Sequence, residues 1–258
     1  MQLPIYQVDA FTDTVFTGNP AAVIPLQAWL PDPLMLNIAA ENNLSETAFF
    51  IEGDQSIALR WFTPLGEIDL CGHATLATAY VLFEILGREK PALRFSTKSG
   101  ILTVKKRVNG LEMDFPSRAP VAMELPTAIA AALGVSTVWS GISRDWLVVL
   151  NSEASVKAVK PDVTRLFEHT EKNIIITAKG ESCDFVSRFF WPGGTGEDPV
   201  TGSAHCTLVP YWAERLNKYT FKARQLSERG GSIDCQLHDD RVVLSGQCVH
   251  YMSGEIAV

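Results

Sequence analysis

One signature occurs twice in this chain, half a chain length apart. The first copy reads Arg60-Trp61-Phe62-Thr63-Pro64, then Glu67, Asp69 and Cys71-Gly72-His73-Ala74. The second reads Arg188-Phe189-Phe190-Trp191-Pro192, then Glu197-Asp198 and Thr201-Gly202-Ser203-Ala204. The two arginines lie 128 positions apart and the two Gly-x-Ala triplets 130 apart, in a chain of 258. That period is too long for a solenoid of stacked repeats. It reads as two related domains, so whatever one half folds into, the other must also fold into.

The run of residues after each copy narrows the choice. Ala74 to Phe83 carries no charge, and neither does Ala204 to Ala213. Both runs suit a helix by length and composition. A helix apolar on every side is buried, and neither run reaches the roughly 18 apolar residues of a membrane span. Each half is therefore expected to wrap strands around one central helix, an α/β (α+β) fold of two curved, mostly antiparallel sheets. The Gly-x-Ala triplet stands at each helix N-terminus, where unpaired N–H groups and the helix dipole favour anions. Two such termini facing one cleft suit a small acidic metabolite.

The totals exclude several classes of function. Net charge is −7 and no basic run exceeds Lys105-Lys106-Arg107, which argues against nucleic acid as a partner. The five cysteines are an odd number without a CxxC. Met1-Gln2-Leu3-Pro4 shows no secretory pattern, so a reducing, cytoplasmic setting is expected, away from membranes. The irregular stretch from Pro116 to Glu124 marks a boundary between an N-terminal domain, 1–117, and a C-terminal domain, 118–246. The last strand, 247–258, is expected to pack with the first domain.

Along the chain, Ile5 to Phe11 and Ala21 to Ile24 read as strands around the turn Phe16-Thr17-Gly18-Asn19-Pro20, in which Asn19 is by itself a turn residue. Asp32-Pro33 reads as the cap and first position of a helix. Asn109-Gly110 signals a type I′ hairpin. Pro192 to Gly196 reads as a glycine-rich loop able to approach a ligand. Pro210 falls inside the second apolar helix, where it costs about 3 kcal/mol if uncompensated.

Several residues invite chemistry. Glu46 sits at a helix-to-strand junction, 14 residues before Arg60, whereas Ile174 lies 14 before Arg188. One half thus carries a carboxylate that the other lacks, either a general base or a surface glutamate. Cys71, at a helix start where thiol pKa falls, is a base or nucleophile, or a plain buried cysteine; its counterpart is Thr201. His73 and its counterpart Ser203 are polar groups at matching helix starts. Asp198 orients His73, accepts a proton, or caps the helix. His73, His205 and Cys206 lack metal-ligand spacing, and no phosphate loop or dinucleotide fingerprint appears, so neither metal nor cofactor is expected.

The chain resembles the phenazine-biosynthesis isomerase (PhzF-like) family, within the diaminopimelate-epimerase-like fold. The resemblance rests on Phe16 to Pro20, Leu44 to Thr47, Arg60 to Pro64, Cys71 to Thr75, Glu197 to His205 and Gln225-Leu226-Ser227-Glu228-Arg229-Gly230-Gly231. It implies a cofactor-free enzyme, a homodimer, that moves a proton between carbons of a dihydro-hydroxyanthranilate-like acid. It also implies Glu46 as proton shuttle, with His73, Asp198 and Ser203 as further catalytic residues. Asn19, Cys71, Gly72, Thr201 and Gly202 are expected to bind substrate. The alternatives are a racemase or epimerase using Cys71 with Glu46, and a non-catalytic small-molecule-binding protein.

Overall fold

The computed structural model describes residues 1–192 and 196–258, so three residues of the glycine-rich loop expected at 192–196 lie outside the described residues. The chain divides into two compact units, Met1–Asp114 with Ser245–Val258, and Phe115–Leu244. Both are mostly sheet with few helices.

The first unit contains β1 (Gln2–Ala10), β2 (Asn19–Pro25), α1 (Asp32–Asn42), β3 (Glu46–Glu52), β4 (Ile57–Thr63), β5 (Gly66–Ile68), α2 (Gly72–Tyr80), β6 (Ala92–Thr97), β7 (Gly100–Arg107) and β8 (Gly110–Pro116). The second contains β9 (Val121–Ala122), α3 (Thr127–Leu133), β10 (Trp139–Ile142), β11 (Trp146–Val149), α4 (Glu153–Ala158), α5 (Val163–Glu168), β12 (Ile174–Lys179), β13 (Phe185–Phe190), β14 (Glu197–Asp198), α6 (Gly202–Leu216), β15 (Thr220–Gln225), β16 (Gly231–His238) and β17 (Arg241–Gly246). The final strand, β18 (Cys248–Ala257), lies antiparallel to β1 as one continuous strand with a bulge opposite Gln7 and Val8.

The repeat is visible as strand order. In the first unit β1 is antiparallel to β2, β2 parallel to β3, and β3 antiparallel to β4. Then β4 pairs antiparallel with short β5 and parallel with β6, and β6 antiparallel with β7. The second unit runs through the same senses from β10 to β16. Helix α2 is buried at every residue from His73 to Ala79 and packs on β1, β2, β3, β7 and β18. Helix α1 covers the other face, where Met35, Ile38 and Ala39 meet Ile24, Phe49 and Phe62. A second core is built likewise from Ile129, Leu133, Val156 and Leu166 against Val148, Ile176 and Phe190.

The signature arginines and glutamates turn out to brace the fold. Arg60 grips Glu67 with two hydrogen bonds, 2.7 and 2.8 Å, across the β4–β5 hairpin, and reaches Asp32 at 3.0 Å. Arg188 grips Glu197 with the same two distances and donates to the carbonyls of Val156 and Val159 at the end of α4. Each arginine thus ties a hairpin to an outer helix, with the bidentate geometry that makes such pairs directional.

Three local expectations are corrected, and the condition attached to Pro210 is met. Asp32 does not cap α1; Pro31 holds the cap position, and Asp32 turns to Arg60. The β7–β8 turn is Val108-Asn109, with Gly110 already in the ladder at φ 131°. There a Cβ would stand 2.4 Å from Gly246 O, which explains the glycine without a type I′ turn. Pro210 is compensated, because the Cys206 carbonyl it cannot reach accepts the Arg118 N–H at 2.8 Å. Its counterpart by the repeat is Tyr80, after which α2 widens into a π-helical turn, Val81–Ile85, so both helices depart from regularity at the same place.

The third correction concerns Glu46. Arg60 pairs with Phe49, and Arg188 pairs with Ile176, so the second interval is one residue longer. The connection from β3 to β4 has four residues, 53–56, while that from β12 to β13 has five, 180–184. The structural counterpart of Glu46 is therefore Asn173, not Ile174. Asn173 donates to Asp145 at 2.9 Å. A polar but uncharged residue fills the place, so the fold still does not call for a carboxylate.

Candidate active site

Four of the residues singled out in the sequence converge within the first unit. Asn19 opens β2 and is fully buried. Glu46 opens β3, beside Ala21 in the parallel ladder. Cys71 is the residue before α2, and His73 lies in its first turn. The parallel pairing of β2 with β3 brings the first two strands' starts to the same edge, where α2 begins.

His73 is the hub. Its Nε2 stands 2.9 Å from Glu46 Oε2. Its Nδ1 stands 3.2 Å from Asn19 Nδ2 and 3.6 Å from Cys71 Sγ. The Glu46 contact has ion-pair distance without hydrogen-bond alignment, and neither atom has another hydrogen-bond partner among the described residues. A buried polar pair left in this state is costly to a fold and is common where a ligand completes the geometry.

Burial by itself resists charging His73, but the Glu46 carboxylate facing Nε2 opposes it, and the His73 pKa stands above its ordinary value. Burial, helped by the Glu46 charge, pushes the Cys71 thiol up to about 11. The sulfur is therefore a neutral thiol at pH 7, and Glu46 supplies the charge that favours a proton on His73. The expected lowering at a helix N-terminus is overridden because desolvation is the larger effect here. Glu46, Cys71 and His73 offer three ligand atoms within 4.8 Å of one another. With the sulfur protonated and His73 already facing Glu46, they suit proton handling better than metal ligation.

Asp198, Thr201, Gly202 and Ser203 form a second group, in the second unit. The Thr201 hydroxyl donates to Asp198 Oδ2. Thr201 is held at its other polar atoms too: its N–H donates to Gln225 Oε1 at 2.9 Å, and its carbonyl faces His205 Nδ1 at 2.9 Å. Gln225 Nε2 donates to the Asp198 carbonyl at 2.7 Å. Burial drives His205 down to about 4, so it is neutral, with its proton on Nδ1 toward Thr201. Gly202 and Ser203 open α6, and the residues at the two cap positions, Cys71 before α2 and Thr201 before α6, make no side-chain hydrogen bond to the first turn of their helix.

Sequence reasoning singled out Asn19 but not as the partner of His73, because a contact across 54 positions leaves no local trace. Gln225 stands in the stretch Gln225 to Gly231 that carries the family resemblance, where the sequence alone gives it no task. A signal was present: Phe221, Ala223 and Gln225 are alternate, inward-facing residues of β15, and a glutamine on a buried face must be bonded to something.

A family model described as phenazine biosynthesis-like protein, PhzC-PhzF, matches residues 8–254. An uncharacterized isomerase of Pseudomonas aeruginosa is 49% identical over 257 residues, 99% of each chain. A solved PhzF-family structure from Enterococcus faecalis superposes with a TM-score of 0.96 at 46% identity over the whole of both chains. A probable proline racemase structure from Agrobacterium radiobacter, at 11% identity, TM-score 0.67, 99% of this chain and 93% of its own, shares the fold alone. Matched over residues 8–254 by a family model and over 99% of its length by a relative at nearly half identity, this chain belongs to the PhzC-PhzF, phenazine biosynthesis-like family.

Proposed function

We propose that the protein is an isomerase that moves a proton between carbons of a small acidic, unsaturated or cyclic metabolite, with Glu46 as the shuttle. The observation that carries this reading is the Glu46–His73 pair: a carboxylate 2.9 Å from a buried imidazole, beside the uncapped start of α2. Glu46, ionised, takes a proton from a C–H next to an electron-withdrawing group. The electron pair moves into the conjugated system, and its developing negative charge is met by the Gly72 and His73 amides and the positive end of the α2 dipole. Glu46 then returns the proton to a different carbon. No group is lost or gained, and no oxidant or reductant is needed. The family resemblance gives Asp198 and Ser203 supporting roles, by hydrogen bonding or proton donation. The substrate class favoured by the family resemblance is a dihydro-hydroxyanthranilate-like acid.

The epimerase alternative needs a second base on the opposite face of the carbon. Cys71 is poorly suited to that task, since its thiol is pushed up to about 11 and its repeat counterpart is Thr201. Incubation with a dihydro-hydroxyanthranilate and a panel of unsaturated carboxylic acids in deuterated water tests the proposal. One deuterium at a new carbon without inversion supports isomerisation. Inversion at the labelled carbon points to an epimerase, and binding without any exchange to a non-catalytic protein.

A further inference from the structure

The two ring nitrogens of His73 meet different chemistry. Nε2 faces a Glu46 carboxylate oxygen, which, when ionised, can only accept. Nδ1 faces the Asn19 side-chain nitrogen, which can only donate, and the Cys71 sulfur. That sulfur keeps its proton at neutral pH and is a weak donor. Two donors therefore converge on Nδ1 and one acceptor faces Nε2. Among the described residues, Glu46 on β3 and Cys71 before α2 are the titratable groups that face the ring.

We propose that Asn19 and Cys71 set the tautomer of His73, keeping the neutral ring's proton on Nε2, toward Glu46. Asn19 is then a positioning residue acting through His73 and not a substrate contact. The proton His73 gains and loses is the one on Nδ1. When the ring is charged, the Asn19 amide turns its oxygen to accept from Nδ1–H. Nε2 stays protonated in both states, so one oxygen of Glu46 always faces an N–H and the other is left to handle the substrate proton. This deepens the proposed function and rests on it for the role of Glu46, but the tautomer itself is independent of any substrate.

The test is nitrogen NMR of protein carrying ring-labelled histidine. The chain has five histidines, and His73 is assigned by the signal lost in His73→Gln. At the alkaline end of its titration, where the ring is neutral, Nε2 is expected to carry the proton and Nδ1 to resonate as a bare nitrogen. Asn19→Asp replaces the donor with an acceptor of similar size and is expected to move the proton to Nδ1. Asn19→Ser, which removes the amide without adding charge, is expected to give a mixture of the two tautomers. A neutral wild-type ring protonated on Nδ1 overturns the proposal, and wild-type protein alone suffices for that result. So does a tautomer unchanged in a folded Asn19 variant, or a rise in KM with kcat and tautomer both intact. An Nε2–H tautomer in protein that exchanges no hydrogen with any acid would leave this inference standing and sink the proton-shuttle reading instead.

Discussion

Replacing Glu46 by glutamine removes the charge beside His73 while keeping the side chain's size. The two groups are 2.9 Å apart, with side-chain exposures of 14% and 5%, so water screens their attraction little. In the variant the remaining influences on the ring are burial, which lowers its pKa, and a thiol that is neutral at pH 7. An opposite charge at this range favours the protonated ring. The His73 titration followed by NMR is therefore expected to fall in the variant. Stability moves with the same sign. A raised folded pKa contributes stability that is fully present below the unfolded value, about 6.5, and is lost as pH rises through the folded value. The margin of wild type over Glu46→Gln in urea unfolding should be largest below about pH 6.5 and fade above the wild-type titration. An unmoved His73 titration would refute the assignment of Glu46 as the charge that holds its proton.

Other substitutions probe separate parts of the molecule. Cys71→Ala is expected to keep hydrogen exchange on a true substrate to within about tenfold; a loss of about 10³-fold, near 4 kcal/mol of barrier, would make the thiol catalytic. Gln225→Leu leaves the buried Thr201 N–H without its acceptor and should cost about 1–3 kcal/mol in urea unfolding; an unchanged midpoint would mean that Gln225 does not brace that turn. Pro210→Ala should change stability by less than about 1 kcal/mol, because Arg118 already satisfies the Cys206 carbonyl; a gain near the ~3 kcal/mol cost of an uncompensated helix proline would contradict that compensation.

Much of this architecture was legible because the chain states its plan twice. The doubled arginine, glutamate and Gly-x-Ala pointed to two units, and the uncharged runs pointed to their buried central helices. Both come from local periodicity and composition. Sequence failed as a guide where a single residue of loop length mattered. The extra residue between β12 and β13 shifted the counterpart of Glu46 from Ile174 to Asn173, and spacing measured from the arginine could not see it. For Cys71 the sequence left two readings open, because the helix start that lowers a thiol pKa is visible in it, whereas the burial that outweighs the helix start exists only in the fold. Asn19 looked like a turn residue because its task, facing His73, exists only after β2 and α2 have packed together.

The central claim is that Glu46 removes and returns a carbon-bound proton. Its most direct measurement is hydrogen exchange in deuterated water, comparing wild type with Glu46→Gln on the panel of candidate acids and on a whole small-acid metabolite extract read by mass spectrometry. The expected result is a compound that gains one deuterium with wild-type protein, at a rate that falls about 10²–10⁴-fold in the variant while the compound still binds. A variant that exchanges the same compound at the wild-type rate would contradict it.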